Sequence, residues 1–250
     1  MLQSRIIPSL LMRNKGLVKT RQFKDEKYVG DPINAVKIFN EKEVDELVLF
    51  DIDATANNVE PDYAHLKSIA VESRMPLCYG GGVKSAEEAS KLISIGFEKV
   101  SVSAAALERP QLIAEMSKRV GRQSVVVTID VKKGGLFGGY TMYTHNGRKK
   151  HKGKLLDFVA QAAELGAGEI VINSIDCDGM MQGYDLPLAA EVRNQVTTPL
   201  SFLGGAGSTQ DMAELIDAVG TVGAAAGSFF VFKGTYRAVL ISYDRPSKDR

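Results

Sequence analysis

The sequence predicts a (βα)8 barrel, and three observations carry that reading. Glu46 to Asp53 (ELVLFDID) and Glu169 to Asp176 (EIVINSID) lie 123 positions apart, as do Pro76-Leu77…Gly81-Gly82 and Pro199-Leu200…Gly204-Gly205. In a chain of 250 residues that offset is half the length. Each half offers a short β-branched run, turn residues and a helical pattern, four times over, which makes eight strand-helix units. Most of the runs are apolar throughout rather than alternating, as parallel strands buried on both faces require. One domain is expected, built of half-barrels at about 1–122 and 123–243, with a tail at 244–250 expected to fray.

In chain order, strands are expected at 5–10, 47–51, 77–79, 99–102, 125–130, 169–173, 200–202 and 222–225. Helical patterns such as 85–95 and 209–219 have Ser or Thr near the cap and acids in the first turn (Glu87, Glu88, Asp211), complementing the helix dipole. Two loops are longer than a barrel needs. The first, 11–30, carries Arg13, Lys15, Lys19 and Arg21. The second, 132–153, holds an aromatic hairpin-like pattern (LFGGYTMYTHNG) and the basic run Arg148-Lys149-Lys150-His151-Lys152. Following strands one and five, both belong to the catalytic face of a barrel.

Composition narrows the function classes. Lys and Arg total 31 against 30 Asp and Glu, so no global field attracts nucleic acid or an anionic membrane. No run approaches 18 apolar residues, and the N-terminal stretch reads as a first strand rather than a signal peptide. The two cysteines, Cys78 and Cys177, lack metal spacing and point to reduced thiols in the cytoplasm. Neither a metal nor a cofactor is called for.

Chemistry concentrates at the strand ends. Gly80-Gly81-Gly82 follows strand three and Gly204-Gly205-Ala206-Gly207 follows strand seven; Ser103 follows strand four, and Gly227-Ser228 follows strand eight. Glycines there let backbone N–H groups approach an anion, and the two copies predict a ligand with two phosphates, although glycines also simply make tight turns. Asp51, Asp53, Asp130, Asp176 and Asp178 sit at strand C-termini. Asp130 is the best placed as a general acid or base, while for Asp51, Asp176 and Asp178 a catalytic role and helix capping stand level. By the repeat, Asp130 should have a partner at the end of strand one, and Leu11 stands there. At the opposite ends of the strands lie Arg5, Glu46, Lys99 and Glu169. Four alternating charges either plug the barrel bottom as ion pairs or admit a small polar molecule to its axis. His65, His145 and His151 have no ligand spacing and read as surface positions, and Cys177 as a spectator.

Taken together, RIIPSL, Lys19, GDP at 30–32, DELVLFDI, GGGV, SIDCDGMMQGYD and GGAGS at 204–208 resemble the cyclase subunit family of imidazole glycerol phosphate synthase, HisF, over nearly the whole chain. The resemblance implies a phosphorylated substrate bound at the mouth by Lys19, Asp51, Gly81, Gly82, Ser103, Asp176, Asp178, Gly179, Gly204, Gly205, Gly227 and Ser228. It also implies a glutaminase subunit of HisH type docked on the N-terminal face, with ammonia travelling up the barrel past a gate of Arg5, Glu46, Lys99 and Glu169. The departures are at the mouth. Leu11 stands where the family has the first of two catalytic aspartates, Ser103-Ala104 replaces an Asn-Thr pair, and Cys177 replaces an arginine. Leucine cannot transfer a proton. This pattern resembles a side branch of the family in which a glutaminase, a HisF-like barrel and a sugar amidotransferase form an acetamidino sugar for surface polysaccharide. The expected function is therefore an ammonia-channelling synthase subunit working in amidino-sugar formation. The alternatives are the authentic cyclase of histidine biosynthesis, with Asp130 as the surviving acid-base group, and a scaffold without turnover.

Overall fold

The computed structural model describes residues 3–134 and 138–246. Eight parallel strands close on themselves: β1 Arg5–Arg13, β2 Leu47–Asp51, β3 Leu77–Gly80, β4 Lys99–Val102, β5 Val125–Lys133, β6 Glu169–Ser174, β7 Leu200–Leu203 and β8 Gly223–Ala226. Each pairs with its neighbour in sequence, β8 returns to pair with β1, and β5 pairs with β6, so the sheet has no open edge at the barrel wall. Closure and parallel order make this a (βα)8 barrel.

Most of the apolar core lies between the sheet and the surrounding helices, where Phe39, Leu66, Leu92, Ile113, Val159, Val192 and Leu215 are fully or almost fully buried. A second, smaller cluster fills the barrel itself: Ile7, Val48, Cys78, Val126, Val171, Leu203 and Ala225, with Phe50 packed against it. Strand side chains alternate between these two cores, and it is the inward set that defines the axis. On β6 that set is Glu169, Val171 and Asn173. These residues are in register with Val126, Thr128 and Asp130 of β5.

Sequence-level caps fix the helix starts. Ser85 and Ser208 each form a reciprocal capping box, with Glu88 and Asp211, ahead of the helices Ala86–Ser94 and Thr209–Val219. β1 and β5 run three residues past their expected ends, because pairing into the long loops prolongs them, and four other strands run one residue further. The segment expected as a loop at 11–30 is a β-hairpin extension of β1, with strands Gly16–Arg21 and Lys24–Gly30. The second long loop also pairs: Tyr140–Thr144 runs antiparallel to β5 and then meets Lys149–Lys150. Its Gly135, Leu136 and Phe137 lie outside the described residues. The eighth unit departs from the repeat, since its helix is the single turn Ser228–Val231, followed by a small hairpin pairing Phe232–Lys233 with Ala238–Val239. The tail expected to fray begins with two tethers: Asp244 pairs with Lys233, and Arg245 donates to the Glu43 carbonyl. Residues 247–250 lie outside the described residues.

Candidate functional site

At the C-terminal ends of the strands opens a cavity of about 350 Å3. Of the residues singled out in the sequence, Lys19, Asp51, Gly81, Gly82, Ser103, Asp130 and Asp178 line it, and so does Leu11. Asp176, Gly179, Gly204, Gly205, Gly227 and Ser228 do not. Only one of the two glycine loops therefore reaches this cavity.

The Gly227-Ser228 turn after β8 is covered by the chain's own side chains. Lys19, buried under the first hairpin, lies against Gly227 so closely that a Cβ there would collide with its Nζ. Its ammonium donates to the Ser9 carbonyl at 3.0 Å. Arg237, from the C-terminal hairpin, donates to the Gly179 carbonyl at 3.2 Å and to Ser228 Oγ at 3.4 Å. Burial lowers the Lys19 pKa to about 8, with Asp178 opposing the shift. Asp178 in turn accepts from Thr20 Oγ1 at 2.9 Å, which stitches the loop after β6 to the hairpin after β1. Asp176 is exposed and accepts from the Lys133 backbone at 2.8 Å, so its carboxylate shapes a turn rather than the cavity. Asp51 lines the cavity yet accepts from the Asp53 and Ala54 backbone N–H groups. Burial raises its pKa, and those two bonds pull it back.

Asp130 is held at the end of β5 beside Asn173, whose Nδ2 donates to it at 2.8 Å. Burial raises its pKa to about 7; Asp178 adds to the rise and the Asn173 bond opposes it. A carboxyl poised near neutrality can take or give a proton at working pH. Across the mouth the equivalent position is Leu11, paired in register with Phe50 of β2. There is no second acid there.

Sequence reasoning missed several cavity residues. Arg13 lines it and is clamped by both oxygens of Asp53, at 2.9 and 2.8 Å. His145, read as a surface histidine, also lines it, because the second hairpin folds over the mouth and Asn146 donates to the Ile52 carbonyl at 2.8 Å. Thr128 and Asn173, both buried, complete the floor. A polar residue at an inward position of an otherwise apolar strand was the available signal for these two. Cys177 is half-buried and does not line the cavity; burial raises its thiol pKa, which leaves it a poor nucleophile. Among the described residues no group of three His, Cys, Asp or Glu could hold a metal ion, and no helix is long and apolar enough to cross a membrane.

At the other end of the axis the four charges form one closed ring. Lys99 Nζ lies 2.7 Å from Glu46 and 2.8 Å from Glu169; Arg5 donates to Glu169 at 2.7 Å and also pairs with Glu46. Each acid therefore meets both cations. Burial of Glu169 would raise its pKa, but Lys99 and Arg5 overcome that and hold it at about 2. Directly above the ring is a small void of about 10 Å3, lined by Ser9, Glu46, Cys78, Glu169 and Ser201 among others. Phe50 and Leu203 line both this void and the mouth cavity.

A barrel with a polar cavity at the C-terminal strand ends, one carboxyl whose pKa is raised toward neutrality by burial and an ionic ring at its foot places the chain in the class of (βα)8 proteins. A family model described as Histidine biosynthesis protein matches residues 5–237. A Vibrio vulnificus protein, provisionally named imidazole glycerol phosphate synthase subunit hisF3, is 56% identical over 251 residues, covering 100% of this chain and 96% of that protein. A Leptospira interrogans protein, provisionally named imidazole glycerol phosphate synthase subunit HisF, is 51% identical, covering 97% and 96%. Imidazole glycerol phosphate synthase subunit HisF of Streptomyces coelicolor is 39% identical over 91% of this chain and 90% of its own length. The chain belongs to the HisF family of imidazole glycerol phosphate synthase subunits.

Proposed function

We propose that this chain is the ammonia-receiving barrel of a glutamine-dependent synthase, with a mouth that no longer performs two-aspartate cyclase chemistry. The single observation that carries the reading is the contrast between the two ends of the axis. The ring of Arg5, Glu46, Lys99 and Glu169 is complete, while Leu11 stands across the mouth from Asp130. A glutaminase of HisH type would dock at the N-terminal face, beneath the ring. Ammonia would pass the ring, enter the void above it and reach the mouth between Phe50 and Leu203. Acetamidino-sugar formation for surface polysaccharide, with a sugar amidotransferase as third partner, is the reaction that this arrangement fits. Coverage of the Gly227-Ser228 turn by Lys19 and Arg237 supports the same reading, since a ligand with two phosphates would need both ends of the mouth.

The second reading is the authentic cyclase step of histidine biosynthesis, and the name of the Streptomyces coelicolor relative favours it. In that case Asp130 serves as acid and base, with Lys19, Asp51, Gly81, Gly82, Ser103 and Asp178 holding substrate. Supplying purified protein with the ribulosyl substrate and ammonium salt decides between them. Negligible imidazole glycerol phosphate is expected, and formation at an ordinary enzymatic rate overturns the proposal.

A further inference from the structure

The second hairpin over the mouth carries a charge that the rest of the chain does not. Between Asp130 and Asp157 lie seven lysines and arginines and no Asp or Glu. Taking those seven from 31 leaves 24 against 30 acids, so the remainder of the chain has a balance of −6. A block of one sign in a chain that is nearly neutral overall marks a surface suited to the opposite sign. Among the described residues only Lys149 of the seven pairs with an acid, Glu108 at 2.6 Å. Its neighbours Lys150 and Lys152 are exposed.

Strand register ties this surface to the mouth. Asp130 is opposite Tyr143 and Tyr143 is opposite Lys150, so the three share one face of the sheet that prolongs β5. Lys132, two residues beyond Asp130, lies on that face as well, with its ammonium 5.3 Å from the centre of the Tyr143 ring. The face that brings Asp130 to the cavity thus becomes basic where it leaves the barrel. Asn146 already fixes the hairpin across the mouth through its bond to the Ile52 carbonyl, so docking there orders little. Nucleic acid fits this surface poorly, because bases stack on free aromatic faces. Here Tyr143 has Lys132 over its ring, and the Tyr140 hydroxyl is tied to Asp185 at 3.0 Å. On the ammonia-conduit reading, on which this inference rests, ammonia leaving the mouth must reach an acceptor before it escapes to water. We propose that the face carrying Lys132, Tyr143 and Lys150, with the adjoining Lys152, docks an acidic surface of the protein subunit that takes the ammonia. That subunit covers the mouth, at the opposite end of the axis from the glutaminase. Charges at such a rim act through association rate and register, so the contact weakens as salt rises.

The full-length chain is immobilised, and binding of the sugar amidotransferase is followed by interferometry at low and high sodium chloride. Lys150→Glu/Lys152→Glu should weaken binding by about tenfold or more near 50 mM salt, and by less than about twofold near 500 mM, where exposed charges are screened. Lys67→Glu/Lys118→Glu makes the same charge change at exposed helical positions and should stay within about twofold of the parent. Lys150→Gln/Lys152→Gln, with a smaller loss expected, serves if the reversed pair does not fold. Binding that ignores the hairpin variants overturns the surface alone and leaves its lysines as guards of a free sheet edge. No binding by the parent chain at either salt concentration overturns the surface together with the conduit reading beneath it. A single-stranded RNA of about 20 nucleotides is titrated in parallel. If RNA binds through the hairpin more tightly than the amidotransferase does, the acidic-protein assignment is overturned.

Discussion

Leu11 separates this mouth from one that could run acid-base chemistry from both sides. Its backbone is correctly placed, at the C-terminal end of β1 and in register with Phe50, so only the side chain is at issue. A positioned acid or base contributes about 10²–10⁴-fold to proton transfer. Leu11→Asp should therefore create or raise imidazole glycerol phosphate formation from the ribulosyl substrate and ammonium, by roughly 10²-fold over the parent chain. No increase would mean that the missing aspartate is not what sets this mouth apart. Asp130 gives a second, independent prediction. Its folded pKa of about 7 lies above the ordinary carboxyl value, so between about pH 4 and 7 the native state holds a proton that the unfolded chain releases. Asp130 therefore lowers stability as pH rises through that window, and the penalty is complete above about 7. Asp130→Asn, which removes the charge and keeps an oxygen for Asn173, should raise the melting temperature at pH 8 and change it little at pH 4. The gain at pH 8 is at most roughly 4 kcal/mol. An equal effect at both pH values would refute the buried, neutral-leaning carboxyl.

Among the elements, the two hairpins over the mouth distinguish this barrel from a bare set of eight units. The first is anchored through Asp178, whose backbone carbonyl accepts from Gln22 N at 2.9 Å and whose carboxylate accepts from Thr20. Gly179 lies in the same turn at φ +68°, with the Thr20 carbonyl where a Cβ would go. Gly179→Ala should cost about 1–3 kcal/mol through backbone strain and that collision, seen as a fall of roughly 2–10 °C in melting temperature. Limited proteolysis should then cut first within the hairpin Gly16–Gly30; unchanged protection there would argue against the anchor. The barrel strands were legible because burial on both faces demands apolar, β-branched runs, and Val125 to Ile129 is such a run. The hairpins were not. Lys24–Gly30 is mostly exposed and charged, with no alternation to read, and it forms only because Gly16–Arg21 presents a partner. The shortness of the eighth helix has a related cause: the apolar run Phe229 to Phe232 packs as one turn and a short strand, which no local pattern distinguishes from a longer helix. At the site, Asp130 and the Gly81-Gly82 turn stood out by residue type. Asn173 and His145 did not, since their roles depend on strand alternation and on a hairpin crossing the mouth.

Across the whole molecule, the axis joins an ionic foot to a polar mouth through the apolar layer of Ile7, Val48, Cys78, Val126, Val171 and Ala225. That layer carries a void of about 10 Å3, near the size of one water or ammonia molecule, directly above the ring. On the proposed reading the ring serves passage as well as stability, and the two roles can be measured apart. Glu169, held at about 2, adds stability that is present above about pH 4.5 and is lost as pH falls from there toward 2. Glu169→Gln should thus destabilise the chain by up to roughly 3 kcal/mol at pH 7, with the deficit narrowing as the parent is acidified. A deficit independent of pH would place its origin in packing instead. For passage, Lys99 is the informative member, because its ammonium bonds to both acids and is itself partly exposed at the foot of the barrel. Its pKa is raised, burial being outweighed by Glu169 and Glu46, so it stays charged and the ring stays neutral overall. Lys99→Ala leaves two buried acids sharing one arginine, and breaking such a network costs about 3–5 kcal/mol. If the variant still folds, ammonium supplied from solution at the mouth never meets the ring, whereas ammonia released by a glutaminase must cross it. In the reconstituted complex the ratio of glutamine-dependent to ammonium-dependent turnover should therefore change several-fold. Proportional loss of both activities would mean that the ring only holds the barrel together.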